Sequence, residues 1–151
     1  MSVANVAAVD TALVARLAGD ATLAALLPDG VWVDVAAAGK TRFAIVQHQT
    51  HEDVRGFGAP ALYETCQYRV TARVLETTGV NANAAARRIH RLLHDQPLAA
   101  AGYAPMSTLR VDRIKFQEVD AVDNDIRWQV AGGDYEVFVS PEPDAAKGGR
   151  P

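Results

Sequence analysis

The chain has 151 residues, of which 49% are hydrophobic and 22% charged, and its formal net charge at pH 7 is −3. This length and composition predict one globular domain with its own core and exclude an intrinsically disordered chain. The mild acidity argues against a dedicated nucleic-acid-binding protein, the single Cys66 excludes an intrachain disulfide, and no apolar run approaches the roughly 20 residues of a membrane span.

The N-terminal region predicts two helices. Apolar residues recur at spacings of three and four, which is typical of an amphipathic helix with a buried stripe of Val6, Val9, Leu13 and Leu17. Asp10 is either the N-cap of this helix or part of its polar face. After Gly19, Asp20 is expected to cap a second, short helix that ends before the turn at residues 28–30.

The next region predicts β structure. Residues 31–35 and 42–49 are expected to form a hairpin around the loop 36–41, and residues 51–61 are expected to form an exposed, mobile loop because they contain few aliphatic residues. Residues 63–76 predict the longest strand. Strict alternation gives it one covered face and one polar face, and the polar face includes Arg69 and Arg73.

The C-terminal half predicts a basic helix at residues 82–94, capped by Asn81 or Asn83, and then three strand segments at 109–119, 126–131 and 135–139. Gly132 and Gly133 are expected to form a bulge or tight turn between the last two. Residues 120–125 predict an acidic turn. The sequence thus predicts an α+β domain over residues 1–140, with a mixed, mainly antiparallel sheet of about four to five strands, two main helices on one face, and a flexible tail at 141–151.

Candidate chemical sites are weak, and no catalytic, cofactor-binding or metal-ligating residue is assigned. Residues 38–41 resemble part of a phosphate loop, but Asp34 stands where a glycine is needed and a strand follows. His90 and His94 have metal-ligand spacing on a helix, yet the surrounding arginines would repel a cation. Cys66 lies on the covered face of a strand, which favours a small buried side chain over a nucleophile.

Two features leave a choice between a structural and a binding role. The basic stripe Arg87, Arg88 and Arg91 fits either the solvated face of a helix or a docking surface for an acidic neighbour. Phe57, between two glycines, either contacts a partner or folds back on its own domain. The candidate interface residues are therefore Asp53, Arg55, Phe57, Arg69, Arg73, Arg87 and Arg91.

The order of elements resembles the tail-completion, or tail-terminator, proteins of long-tailed double-stranded DNA bacteriophages and gene-transfer particles. Four stretches between about Val9 and Val139 carry the resemblance: the helical opening, residues 30–47, residues 67–93 with their long strand and helix, and residues 134–139. The chain departs from the family pattern at Arg42, where a proline is usual, and at the inserted-looking residues 131–133.

The resemblance implies a structural virion protein without enzymatic activity. It implies a hexameric ring at the head-proximal end of the tail tube that stops tube growth, contacts the tail tube protein and the neck or head-completion protein, and is assembled in the host cytoplasm. Six copies would carry a formal charge of −18, which would favour the passage of genomic DNA over its adhesion.

Two alternatives stay open. One is another neck or head–tail adaptor component of the same particle. The other, from a different class, is a small α+β enzyme or ligand-binding domain with its site near His48, His51 and Tyr63. A deep pocket that holds two of those side chains would favour the second alternative, and a flat polar surface would count against it.

Overall fold

The computed structural model describes residues 6–56, 61–123 and 125–141, which form three helices and five strands. None of the helices in this part of the chain is long and apolar enough to cross a membrane. The chain order is α1 (Val6–Ala18), α2 (Ala21–Leu26), β1 (Val31–Val33), β2 (Arg42–Arg55), β3 (Ala61–Leu75), α3 (Val80–Leu93), β4 (Tyr103–Val119) and β5 (Arg127–Pro141).

One mixed sheet organises the fold, with the strand order β1-β2-β3-β5-β4. The β1–β2 pair is parallel and the other three pairs are antiparallel. The two long helices, α1 and α3, and the short α2 bury their apolar stripes against the inner face of β2, β3 and β5. The predicted α+β class, the mainly antiparallel sheet and the two main helices are confirmed.

The core follows the predicted periodicities. Val9, Leu13 and Leu17 of α1 are buried, as are Ala82, Ala85, Ile89 and Leu93 of α3 and the whole inner face of β3 from Cys66 to Val74. Asp20 caps α2, where its carboxylate accepts the Leu23 N–H at 2.8 Å. Asp10 is not an N-cap, because it lies within α1 and accepts a hydrogen bond from the Tyr68 hydroxyl.

The predicted hairpin of β1 and β2 is wrong in its direction. The two strands pair in parallel, with Val31 opposite Ala44. The carboxylate of Asp29, which immediately precedes β1, accepts the backbone N–H groups of Thr41 and Arg42 at 2.9 and 3.0 Å. Both strands therefore begin at the same end of the sheet, and the loop between them must return the chain to that end.

The predicted loop at residues 51–61 is wrong for its first half. β2 continues to Arg55, and Asp53 pairs with Glu64 across the antiparallel ladder with β3. Backbone pairing and a contact of 2.5 Å between His51 Nε2 and Glu64 Oε1 hold this segment, in which Val54 is the one aliphatic residue from His51 to Arg55. Phe57 and its neighbours up to Pro60 lie outside the described residues.

The C-terminal strands are longer than predicted. β4 begins at Tyr103, and β5 runs without a break through Gly132 and Gly133. Those glycines form neither a turn nor a bulge, because the register shifts of this strand pair lie on β4, between Pro105 and Ser107 and between Arg110 and Asp112. A side chain at Gly132 would collide with the backbone of β3, so close strand packing explains this glycine. The predicted tail beyond Pro141 lies outside the described residues.

The start of α3 also differs from the prediction. Gly79 occupies the N-cap position and makes no side-chain capping bond. Asn81 instead donates its amide N–H to the Glu76 carboxylate at 2.7 Å, and Asn83 lies inside the helix. The cap prediction failed because both asparagines lie beyond the first helical residue, Val80.

Candidate interaction surfaces

The predicted interface residues lie on three separate surfaces. Asp53 and Arg55 are exposed on the hairpin arm, which we define as the distal ends of β2 and β3, residues 50–55 and 61–67. Arg69 and Arg73 lie on the outer face of the sheet, away from the helices. Arg87 and Arg91 are exposed on α3. The fold therefore does not unite these residues into one patch.

The hairpin arm is anchored to the domain by a buried carboxylate. Glu64 is only 8% exposed and accepts a hydrogen bond from the Tyr103 hydroxyl at 3.1 Å, in addition to its contact with His51. Charge-assisted hydrogen bonds of this kind are stronger than neutral ones. The arm is thus held both by the backbone hydrogen bonds between β2 and β3 and by the bond from Glu64 to Tyr103, the first residue of β4.

The same part of the arm contains the one trio of side chains with metal-ligand spacing within residues 6–56, 61–123 and 125–141. Ligand atoms of His51, Asp53 and Glu64 lie within 4.8 Å of one another. His51 and Glu64 bond each other directly, so a cation would have to separate them. His51 and Glu64 are thus arranged as a hydrogen-bonded pair that holds the arm together.

The fold brings together only two residues of the alternative site near His48, His51 and Tyr63, because the ring centroids of His48 and His51 lie 6.3 Å apart while Tyr63 is elsewhere. His51 is in register with inward-facing Cys66, whereas Tyr63 lies on the opposite face of β3 and contacts Phe138, with ring centroids 6.2 Å apart. His48 packs edge-on against Tyr68 at 5.3 Å. The clefts described below are lined by other side chains.

The outer face of the sheet carries internal ion pairs. Arg69 binds both oxygens of Asp134, at 3.0 and 3.3 Å, and Arg73 approaches Glu118 at 3.3 Å. Beside them, residues 34–40 curve over Phe43, Ile45 and Trp128 and enclose a cleft of about 400 Å³. The charges of Arg69 and Arg73 are therefore neutralised by carboxylates of the same chain. Part of the remaining surface of this face is apolar.

The third surface is a basic cleft of about 570 Å³ between α3 and the edge strand β4, which we call the arginine groove. No carboxylate is among its lining residues, and no salt bridge in the described part of the chain involves its five Arg and Lys side chains. Its cationic side chains are Arg87, Arg91, Arg110, Arg113 and Lys115, with His90 beside them, and its apolar lining is Ala86, Ile114 and Ala131.

A bulge and a glycine build the groove. Arg110 and Arg113 are three residues apart, so strict alternation would place them on opposite faces of β4. The register shift between Arg110 and Asp112 inserts one residue and brings both arginines to the helix side. A Cβ at Gly133 would lie 3.0 Å from Cδ of Arg110, so the bare glycine makes room for the arginine stem.

The positive charge of the groove acts on His90 of α3. Burial, Arg110, His94 and Arg113 together lower the pKa of His90. The rings of His90 and His94 stack with centroids 4.5 Å apart, and His94 Nδ1 accepts the Arg110 backbone N–H at 3.1 Å. The histidine pair therefore connects α3 to β4, which is a structural role.

The sequence analysis identified two of the five Arg and Lys side chains that line the groove. It found Arg87 and Arg91, but it also counted Arg88, which turns away to pair with Asp20 at 2.6 Å. It missed Arg110, Arg113 and Lys115. The alternation of Arg113 and Lys115 in a predicted strand was a usable signal, but their position opposite α3 depends on the strand order.

Comparison with known structures extends over nearly the whole fold. A chain from the virion of a native gene transfer agent particle matches with a TM-score of 0.64 and 16% identity, over 89% of this chain and 96% of that one. A second solved chain, whose name states no function, matches with a TM-score of 0.59 and 12% identity, over 93% and 99%. No protein-family model and no curated protein matches. At these identities the similarity establishes a shared fold.

Proposed function

We propose that this protein is a non-enzymatic structural component of a phage-type particle. The observation that carries the proposal is the shared fold with a chain of the gene transfer agent virion, because the match spans 89% of this chain and 96% of the other. The separation of the predicted alternative site, with His51 and Tyr63 on opposite faces of the sheet, also favours a structural role.

More specifically, we propose a tail-terminator role. The chain would form a hexameric ring at the head-proximal end of the tail tube, stop tube polymerisation and join the tail to the neck. Its partners would be the tail tube protein, the neck or head-completion protein and further copies of itself, and DNA would pass through the ring without sequence-specific contacts.

The charge distribution supports this role. A closed ring needs a heterologous interface, in which two different patches of one chain meet. The chain offers such unlike patches, because the arginine groove is cationic while the acidic turn after β4 carries Asp120, Asp123 and Asp125. The tail-terminator position itself rests on the sequence resemblance.

Electron microscopy of particles from a strain that lacks this gene tests the proposal. We expect tails of abnormal length that fail to join heads, and six-fold rings from the purified chain or at the ends of tubes. Tails of normal length that lack only the connection to the head would favour a neck or adaptor component. Normal tails joined to heads would contradict a structural role in the particle.

A further inference from the structure

The arginine groove is unusual for a chain that is acidic overall. Its five Arg and Lys side chains contribute +5 to a formal net charge of −3, so the rest of the chain carries −8. Like charges confined to one cleft repel one another, and here the described carboxylates form no ion pair with them. The groove therefore lacks an anionic partner among residues 6–56, 61–123 and 125–141.

Resting on the proposed ring assembly, we infer that the arginine groove of one copy binds the acidic turn of the next copy. Two grooves cannot face each other across a two-fold axis, because that would place ten cationic side chains in contact. Pairing the groove with a different, acidic patch removes the repulsion and generates the head-to-tail contact that a ring requires.

The acidic turn fits the groove in both charge and polarity. Val122 is 97% exposed at its tip, and Asp120, Asp123 and Asp125 surround it as exposed carboxylates. The groove has the complementary pattern, since the small apolar side chains of Ala86 and Ala131 lie among the arginines. An apolar tip between carboxylates can thus contact an apolar floor between cations.

Side-chain hydrogen bonds also order part of the turn before binding, among the residues that the structure describes. Asp120 Oδ1 accepts the backbone N–H groups of Val122 and Asp123 at 2.8 and 2.9 Å, and Asp123 Oδ1 accepts that of Asp125 at 3.0 Å. A preorganised segment loses less conformational entropy on binding than a flexible one. A nucleic-acid strand is the less suitable occupant, because the groove lining contains no aromatic side chain other than His90 for stacking on bases.

Swapping the charges of one cation in the groove and one carboxylate in the turn tests the inference on the full-length chain. Sedimentation velocity measures self-association in solution and in the presence of purified tail tubes. Arg113→Glu and Asp125→Lys should each weaken self-association by about tenfold or more, and the double variant should recover most of the loss. Lys40→Glu is the matched control, because it makes the same change of charge in the outer cleft and should leave assembly unchanged. Circular dichroism confirms that each variant is folded.

Each outcome has a definite meaning. If the Arg113→Glu variant forms rings as readily as the wild type, the groove contact is overturned but the proposed ring function stands. Failure of the double variant to recover association would also overturn the contact. A wild-type chain that forms no oligomer in solution or on tubes would overturn both. Rings that persist in Arg113→Glu, together with lost binding to a short DNA duplex, would assign the groove to nucleic-acid phosphates instead.

Discussion

Asp20 and Arg88 form a two-point ion pair that joins the first turn of α2 to the middle of α3. Arg88 Nη2 lies 2.6 Å from Asp20 Oδ1, and Arg88 Nε lies 2.8 Å from Oδ2. The same Oδ2 accepts the Leu23 N–H, so one carboxylate caps a helix and ties it to a second one. This pair withdraws Arg88 from the basic stripe and leaves Arg87 and Arg91 to the groove.

Replacing Asp20 tests the double role of this carboxylate. Asp20→Ala removes both the cap and the ion pair and should lower the free energy of unfolding by about 2 kcal/mol. Asp20→Asn keeps a capping oxygen and should cost less. Urea denaturation measures both variants, and equal losses for Ala and Asn would show that the cap contributes nothing.

The same pair predicts a pH dependence. The hydrogen bonds from Arg88 are the largest cause that lowers the pKa of Asp20 to about 2, against an ordinary value of 3.8. Because the folded-state pKa is the lower one, the contribution is complete above the unfolded value and is lost as pH falls through about 2. The stability difference between wild type and Asp20→Asn should therefore shrink between about pH 5 and pH 2.5. A constant difference over that range would contradict the assignment.

Gly132 should tolerate no side chain. A Cβ there would lie 2.7 Å from Thr71 Cα and closer still to the Val70 carbonyl oxygen, and both are backbone atoms of the central strand. Gly132→Ala should cost about 3 kcal/mol or prevent folding, since strands β3 and β5 would have to separate. Gly79→Ala is the control, because its Cβ would meet its neighbours at 3.6 Å. Thermal unfolding compares the two variants, and similar melting temperatures would contradict the predicted clash.

The Tyr68 hydroxyl is a buried anchor for α1. Tyr68 is fully buried and donates to the Asp10 carboxylate, and burial followed by this hydrogen bond raises the pKa of the phenol. Tyr68→Phe leaves the carboxylate without its donor and should cost about 1–3 kcal/mol. Tyr135→Phe should cost less, because the Tyr135 oxygen lies 3.4 Å from His90 Nδ1. Chemical denaturation gives both values, and a larger loss at Tyr135 would contradict this ranking.

Cys66 should be unreactive in the folded chain. Burial is the first cause that raises the pKa of its thiol to about 12, from an ordinary value of 9.0. The thiolate, which is the reactive form, should then be about a thousandfold scarcer near pH 8 than for a free thiol. A thiol-specific reagent should label Cys66 only after denaturation. Rapid labelling of the native chain would show that β3 is more accessible than the structure indicates.

Local periodicity explains which elements could be predicted. The stripe of α1, the cap at Asp20, the alternation of β3 and the apolar face of α3 each depend on residues close in sequence. Apart from the cap of α3, which shifted locally to Gly79, the main failures involve distant residues. Asp29 binds Thr41 and Arg42 and sets the parallel pair, and Glu64 holds His51 in what looked like a loop. A composition poor in aliphatic residues does not reveal such contacts.

The candidate surfaces likewise contain features that could be predicted from the sequence and features that depend on the folded structure. An α+β domain of mild acidity, with a basic helix and an acidic turn, follows from the sequence alone, because periodicity and charge are properties of residues close together in the chain. The position of Arg110, Arg113 and Lys115 opposite Arg87 and Arg91 follows from the folded structure, because strand order and the bulge after Arg110 set which distant cations share a cleft. Coulomb interactions act through space, and the distances between these cations are fixed when the sheet and α3 pack together.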